Sequence, residues 1–182
     1  MHKLLLLTDL HIRKPGERII GLDPSQRLQT ILDAAIAAHP DSAAVVLLGD
    51  LTHYGSGTEY RELHRILASV SLPIIPMLGN HDRRDRFLQQ FPHAPQDAHG
   101  FVQHVQDIGA HRLITLDSLD GPPYPPGHHA GRLCADRMAF LDAALLDHKG
   151  PAIVCIHHPP FDTGIRGMDR IKLADGDAFL DR

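Results

Sequence analysis

Cysteine is nearly missing from this sequence: only Cys134 and Cys155 occur in 182 residues, each within an apolar stretch that reads as core. That scarcity argues against a disulfide scaffold and for a reducing compartment, with neither thiol placed for catalysis. No apolar stretch is long enough to span a bilayer, and no leader of the signal-peptide type is expected. A cytoplasmic protein with no membrane partner is therefore expected. An excess of basic residues is also lacking. With a formal net charge of -4 the chain has no broad positive surface for releasing counterions from DNA or RNA, so a polymeric nucleic acid is not the expected partner. A small anion held by local positive charge stays open. Neither an internal repeat nor a boundary interrupts the sequence, whose length suits one domain over residues 1–182.

What is present is a series of short, continuous apolar runs: Leu4 to Leu7, Ala44 to Leu48, Ile74 to Leu78 and Ala152 to Ile156. Continuity rather than alternation predicts buried strands. Between the first two, Asp23 and Pro24 announce a helix with Leu28, Ile31, Leu32, Ala35 and Ile36 on its inner face. A second helix is expected after Thr58 as cap, with Tyr60, Leu63, Ile66, Leu67 and Val70 inward, ending before Pro73. This β-α-β-α-β order predicts a largely parallel sheet flanked by helices. Phe101 to Val105 and Arg112 to Asp117 read as a hairpin around Gly109 that begins a second sheet. A Gly- and Pro-rich loop from Gly121 to Gly131 precedes a helix carrying Met138, Leu141, Ala144 and Leu145, and a last helix begins near Asp175.

Fifteen histidines are many for this length, and they are dispersed. The informative ones follow the apolar runs: Asp9 and His11 the first, Asp50 the second, Asn80, His81 and Asp82 the third, His157 and His158 the fourth. In open α/β sheets the ligand crevice lies beyond the carboxyl ends of the strands, so these groups are expected to converge. Carboxylates mixed with imidazoles suit hard or borderline divalent ions, and a pair of ions ~3.5–4 Å apart can clamp a phosphate and activate a bridging water. Asp9 and His11, alternating along an extended exit, are expected to hold the first ion, Asp50 to bridge, and Asn80 with His157 to serve the second. Two dications, less the charges of Asp9, Asp50 and one hydroxide, leave a net of about +1, suited to a diester monoanion. His158 is excluded because Pro159 restricts its backbone. His128 and His129, in the Gly- and Pro-rich loop, read as solvated. His53 and Tyr54 read equally as pocket lining or as a surface turn.

Taken together, Asp9-Leu10-His11, Gly49-Asp50, Gly79-Asn80-His81-Asp82 and His157-His158-Pro159-Pro160 resemble the calcineurin-like metallophosphoesterase superfamily. Thr163-Gly164-Ile165 and Met168-Asp169 resemble its cyclic-nucleotide and glycerophosphodiester phosphodiesterase branch. The resemblance implies a four-layer α/β/β/α sandwich and two divalent ions drawn from Mn, Fe, Zn or Co. It places Asp9, His11 and Asp50 on one ion and Asp50, Asn80 and His157 on the other. His81 then meets the phosphate or protonates the leaving oxygen, while Asp82 orients the His81 ring. The implied reaction is hydrolysis of a small phosphodiester by a metal-bridging hydroxide. Alternatives are a phosphomonoesterase, a phosphoprotein phosphatase, or a non-catalytic binding scaffold. The family's Gly-His-X-His block has no counterpart after His158, so the sequence is expected to be C-terminally incomplete, lacking the last strands, and to self-associate through the apolar surface this leaves.

Overall fold

In a computed structural model that describes residues 2–124, 127 and 129–182, the chain forms two units. One comprises Met1–Pro76 with His81–Ala94, the other Met77–Asn80 with Pro95–Arg182. The first is built on a three-stranded sheet in the order β1-β2-β3, from β1 (Leu4–Leu7), β2 (Ala44–Leu48) and β3 (Ile74–Met77). β1 and β2 are parallel, with Leu4 opposite Ala44 and Leu7 opposite Leu47. The apolar runs do become strands, but only β2, flanked on both sides, is nearly all buried. β1 is an edge strand, and Leu6 remains 54% exposed.

Between β1 and β2, α1 (Pro24–Ala38) starts where the Asp23 carboxylate accepts the amides of Ser25 and Gln26, with Pro24 at the first turn, where no backbone donor is needed. Leu28 and Leu32 are buried while Ile31 is exposed, so the inner face is narrower than its apolar spacing suggested. For α2 (Gly57–Leu67) the cap is Ser56 rather than Thr58. Ser56 Oγ accepts the Glu59 amide and Glu59 accepts the Ser56 amide, which satisfies two end donors at once, and a cap at Thr58 would forgo that reciprocity. Tyr60, Leu63, Ile66 and Leu67 are buried as expected, whereas Val70 lies beyond the helix end. A short α3 (Arg84–Gln90), which no apolar periodicity signals, is tied in by Phe87, edge-on to Tyr60 and stacked on Phe91.

The second unit carries the sheet β4-β5-β6, from β4 (His104–Ile108), β5 (His111–Leu116) and β6 (Ala152–Ile156). The hairpin is there, antiparallel around Gly109, but its first strand begins three residues later than Phe101. The Asp97 carboxylate accepts the Phe101 amide and that of Asp117 accepts the Val102 amide, which ties this stretch into a turn. The fourth apolar run joins this sheet, parallel to β5, instead of extending the first. A helix, α4 (Ala135–Leu146), packs Met138, Leu141 and Ala144 against Ile114 and Leu116. Two short helices follow, α5 (Arg166–Asp169) and α6 (Gly176–Leu180), the second directly after Asp175. No helix among the described residues is long and apolar enough to cross a membrane.

Candidate metal centre

The segments leaving β1 and β2 run side by side. Asp9 N–H donates to the Gly49 carbonyl (3.2 Å), His11 N–H to that of Asp50 (2.9 Å) and Ile12 N–H to that of Leu51 (3.0 Å). These bonds hold three non-glycine residues in the left-handed region, Asp9 at φ 54°, His11 at 45° and Asp50 at 49°, with Gly49 at 98° just before. The exit is therefore not the extended one expected of Asp9 and His11. Positive φ costs a residue with a Cβ of order 1–3 kcal/mol, and such strain persists where surrounding contacts enforce it, commonly at functional sites.

Its result is convergence. His11 Nε2 lies 3.8 Å from Asp9 Oδ1 and 3.6 Å from Asp50 Oδ2, and His81 Nε2 lies 4.0 Å from that same Asp50 oxygen. One ligand atom each from Asp9, His11 and Asp50 falls within 4.8 Å of the others. Asp50 is buried, and its other oxygen accepts the His81 amide (2.9 Å), so the carboxylate is aimed by the start of the next segment. This donor set of carboxylates and imidazole fits a divalent cation, and nothing about its chemistry favours an organic cofactor.

His53 extends the cluster. Its ring Nδ1 is 3.4 Å from His11 Nδ1, its carbonyl is 2.8 Å from His81 Nδ1, and its ring stacks on that of His81. Burial, then the neighbouring His11, His81 and Arg13, push the His53 imidazole below its ordinary range, which favours its neutral form. Sequence reasoning left His53 undecided. The only available signal was its place three residues after Asp50, on the same exit.

The Asp82 carboxylate is fully buried and accepts from Leu51 N, Thr52 N, Thr52 Oγ1 and Tyr60 Oη at 3.0–3.2 Å. It clamps the segment that carries Asp50. Burial and the adjacent carboxylate push the Tyr60 phenol well above its ordinary range, keeping it a donor. Arg13 pairs with Glu17 and lies over the Tyr54 ring, so it is engaged within the fold.

Asn80 and His157 form their own pair in the second unit. His157 Nε2 is 3.3 Å from Asn80 Oδ1, and the Asn80 amide nitrogen is 3.1 Å from His129 Nδ1. His129 is thus half-buried beside a predicted ligand rather than solvated in its loop, a placement that no spacing rule announces. His128 lies outside the described residues. His158 is buried, its Nδ1 2.7 Å from Ser118 Oγ and its Nε2 3.1 Å from the His129 carbonyl. The approach requires glycine at position 131, where a Cβ would sit 2.4 Å from His158 Cγ.

The chain belongs to the calcineurin-like phosphoesterase family, whose model matches residues 2–179. Among its curated relatives is a probable cyclic nucleotide phosphodiesterase of Rhodopseudomonas palustris, 45% identical over 97% of this chain and 64% of the relative. A glycerophosphodiester phosphodiesterase of Enterobacter lignolyticus is 29% identical over 96% of this chain and 63% of its own length. The chain thus spans somewhat less than two thirds of the length of these relatives. Purple acid phosphatase from yellow lupin superposes with a TM-score of 0.63 at 14% identity, covering 88% of this chain and 31% of that one. The fold is accordingly that of the metallophosphoesterases, mixed α/β with two sheets and flanking helices.

Proposed function

We propose that this chain carries the metal-binding and catalytic residues of a phosphodiesterase acting on small phosphodiesters of the cyclic-nucleotide or glycerophosphodiester type. The observation that carries this reading is the strained convergence of Asp9, His11 and Asp50, with His81 turned toward the same carboxylate. In this proposal Asp9, His11 and Asp50 hold one divalent ion, and Asn80 and His157 are ligands of a second. Divalent ions, when bound, supply Lewis acidity and an activated water at neutral pH. The chain's own residues do the rest. Asp50 turns Oδ2 toward the centre, while its Oδ1 accepts the His81 amide and so fixes the carboxylate's orientation. His81, whose Nδ1–H is donated to the His53 carbonyl, is left with Nε2 facing the centre, where it can hold a proton for the departing ester oxygen. The relatives' names support a diester. The two free cysteines support a cytoplasmic setting.

Two outcomes check the proposal. Manganese-loaded protein should hydrolyse bis-p-nitrophenyl phosphate with a higher kcat/KM than p-nitrophenyl phosphate; the reverse preference would assign the site to monoesters. His81→Ala should retain its bound metal yet lose turnover by roughly 10² to 10⁴ fold, the usual contribution of a positioned proton donor. Loss of metal in that variant would make His81 a ligand instead.

A further inference from the structure

We infer that His53 is a positioning residue for the metal centre: its ring Nδ1 accepts the Nδ1–H of His11 while its main-chain carbonyl accepts the Nδ1–H of His81, so one residue turns both Nε2 atoms toward Asp50. The inference rests on the reading that Asp9, His11 and Asp50 hold a divalent ion.

A cation among those groups must take the lone pair of His11 Nε2, the ring nitrogen that lies 3.6 Å from Asp50 Oδ2 and 3.8 Å from Asp9 Oδ1. The proton of the neutral ring is then on Nδ1, and a ligating histidine keeps its orientation and basicity by donating that proton to an acceptor. The atom facing it, at 3.4 Å, is His53 Nδ1. The rings meet edge to face, with centroids 5.3 Å apart and planes inclined by 71°. The proton of His53 itself then lies on Nε2. The main chain makes the second contact from a fixed place, because His53 N–H donates to the Ile12 carbonyl (3.1 Å) and the preceding residue, Thr52, is bound to Asp82. Behind it, Gly55 at φ 63° lets the chain turn back against Arg83, whose Cγ would stand 2.5 Å from a Cβ there. His53 is therefore anchored through its backbone, so its ring, which stacks on that of His81, can be replaced while the carbonyl stays in place.

The test uses His53→Phe, which keeps a ring and the carbonyl but removes the acceptor, and His53→Gln, which offers an amide oxygen in its place. Zinc titration calorimetry should show the phenylalanine variant weakened by roughly 10- to 100-fold with its stoichiometry intact, the glutamine variant recovering much of the loss, and both melting as the parent does. In the zinc-loaded parent, ¹⁵N NMR of histidine-labelled protein should show a coupling between His11 Nδ1 and His53 Nδ1 across the hydrogen bond. Equal affinity of the phenylalanine variant and the parent, with no such coupling, would overturn the inference and leave the metal site standing. So would loss of one whole ion in the phenylalanine variant, which would make His53 a ligand. A parent chain that bound no zinc would instead remove the functional reading beneath it.

Discussion

Asp50→Asn is expected to fold normally and to lose both metal and hydrolysis. The asparagine oxygen can still accept the His81 amide that Asp50 Oδ1 now holds at 2.9 Å, so the turn keeps its internal bond. What disappears is the negative charge that His11 and His81 face at 3.6 and 4.0 Å. Without it a divalent ion would leave water for a site with one carboxylate fewer, so the positive charge that would offset the phosphoryl oxygens in the transition state would be held less firmly. Turnover should fall by on the order of 10³-fold, the scale on which removal of one preorganised electrostatic group is felt in an active site. Calorimetry with manganese should show the affinity falling in parallel. Cys134→Ala provides the contrast, since that free thiol is half-buried at the start of α4, in the second unit, and its removal should leave both properties near those of the parent. An Asp50→Asn protein as active as the parent would contradict the assignment of the ligands.

The other large effect belongs to Asp82, and it is an effect on stability. Alanine there strands two buried backbone amides, the Thr52 hydroxyl and the Tyr60 hydroxyl, whose shared acceptor is lost. Each stranded buried donor costs about 1–3 kcal/mol. Because the four share one carboxylate the losses do not add, and a total of roughly 3–5 kcal/mol is expected, as for breaking a buried charged network. Against a typical stability of about 5–15 kcal/mol this is a large fraction, and Tm should drop by ~10 °C or more. Asp82→Asn should fall between, because one oxygen survives while an amide group meets the Leu51 or Thr52 N–H. An Asp82→Ala protein that melts like the parent but has lost turnover would contradict the stability role and favour the ring-orienting one that the Asn80-His81-Asp82 sequence suggested.

The contrast at Asp82 marks how far the sequence could be read. Continuous apolar runs located β1, β2, β3 and β6 because burying a strand demands unbroken hydrophobicity, and Asp23 located the start of α1 because an end amide needs an acceptor. Local patterns do not say which sheet a strand joins. β6 pairs with β5, and the edge positions of β1 and β6 leave Leu6 and Ile153 exposed despite their apolar surroundings in sequence. The helix α3 stayed invisible because seven residues with one buried phenylalanine carry no period. At the site, residue type and the ends of strands were enough to single out Asp9, His11, Asp50 and His81. The left-handed turns that bring them together are set by hydrogen bonds between two exits distant in sequence, which no spacing encodes. For the same reason no spacing announces that the Asp82 carboxylate accepts from residues 51, 52 and 60.

The most direct measurement of the central claim is the number of divalent ions bound per chain at saturation, by equilibrium dialysis against manganese followed by elemental analysis. The account predicts two ions per parent chain, with both the count and the affinity reduced in Asp50→Asn. A parent chain that held none, or a count that Asp50→Asn left untouched, would contradict it.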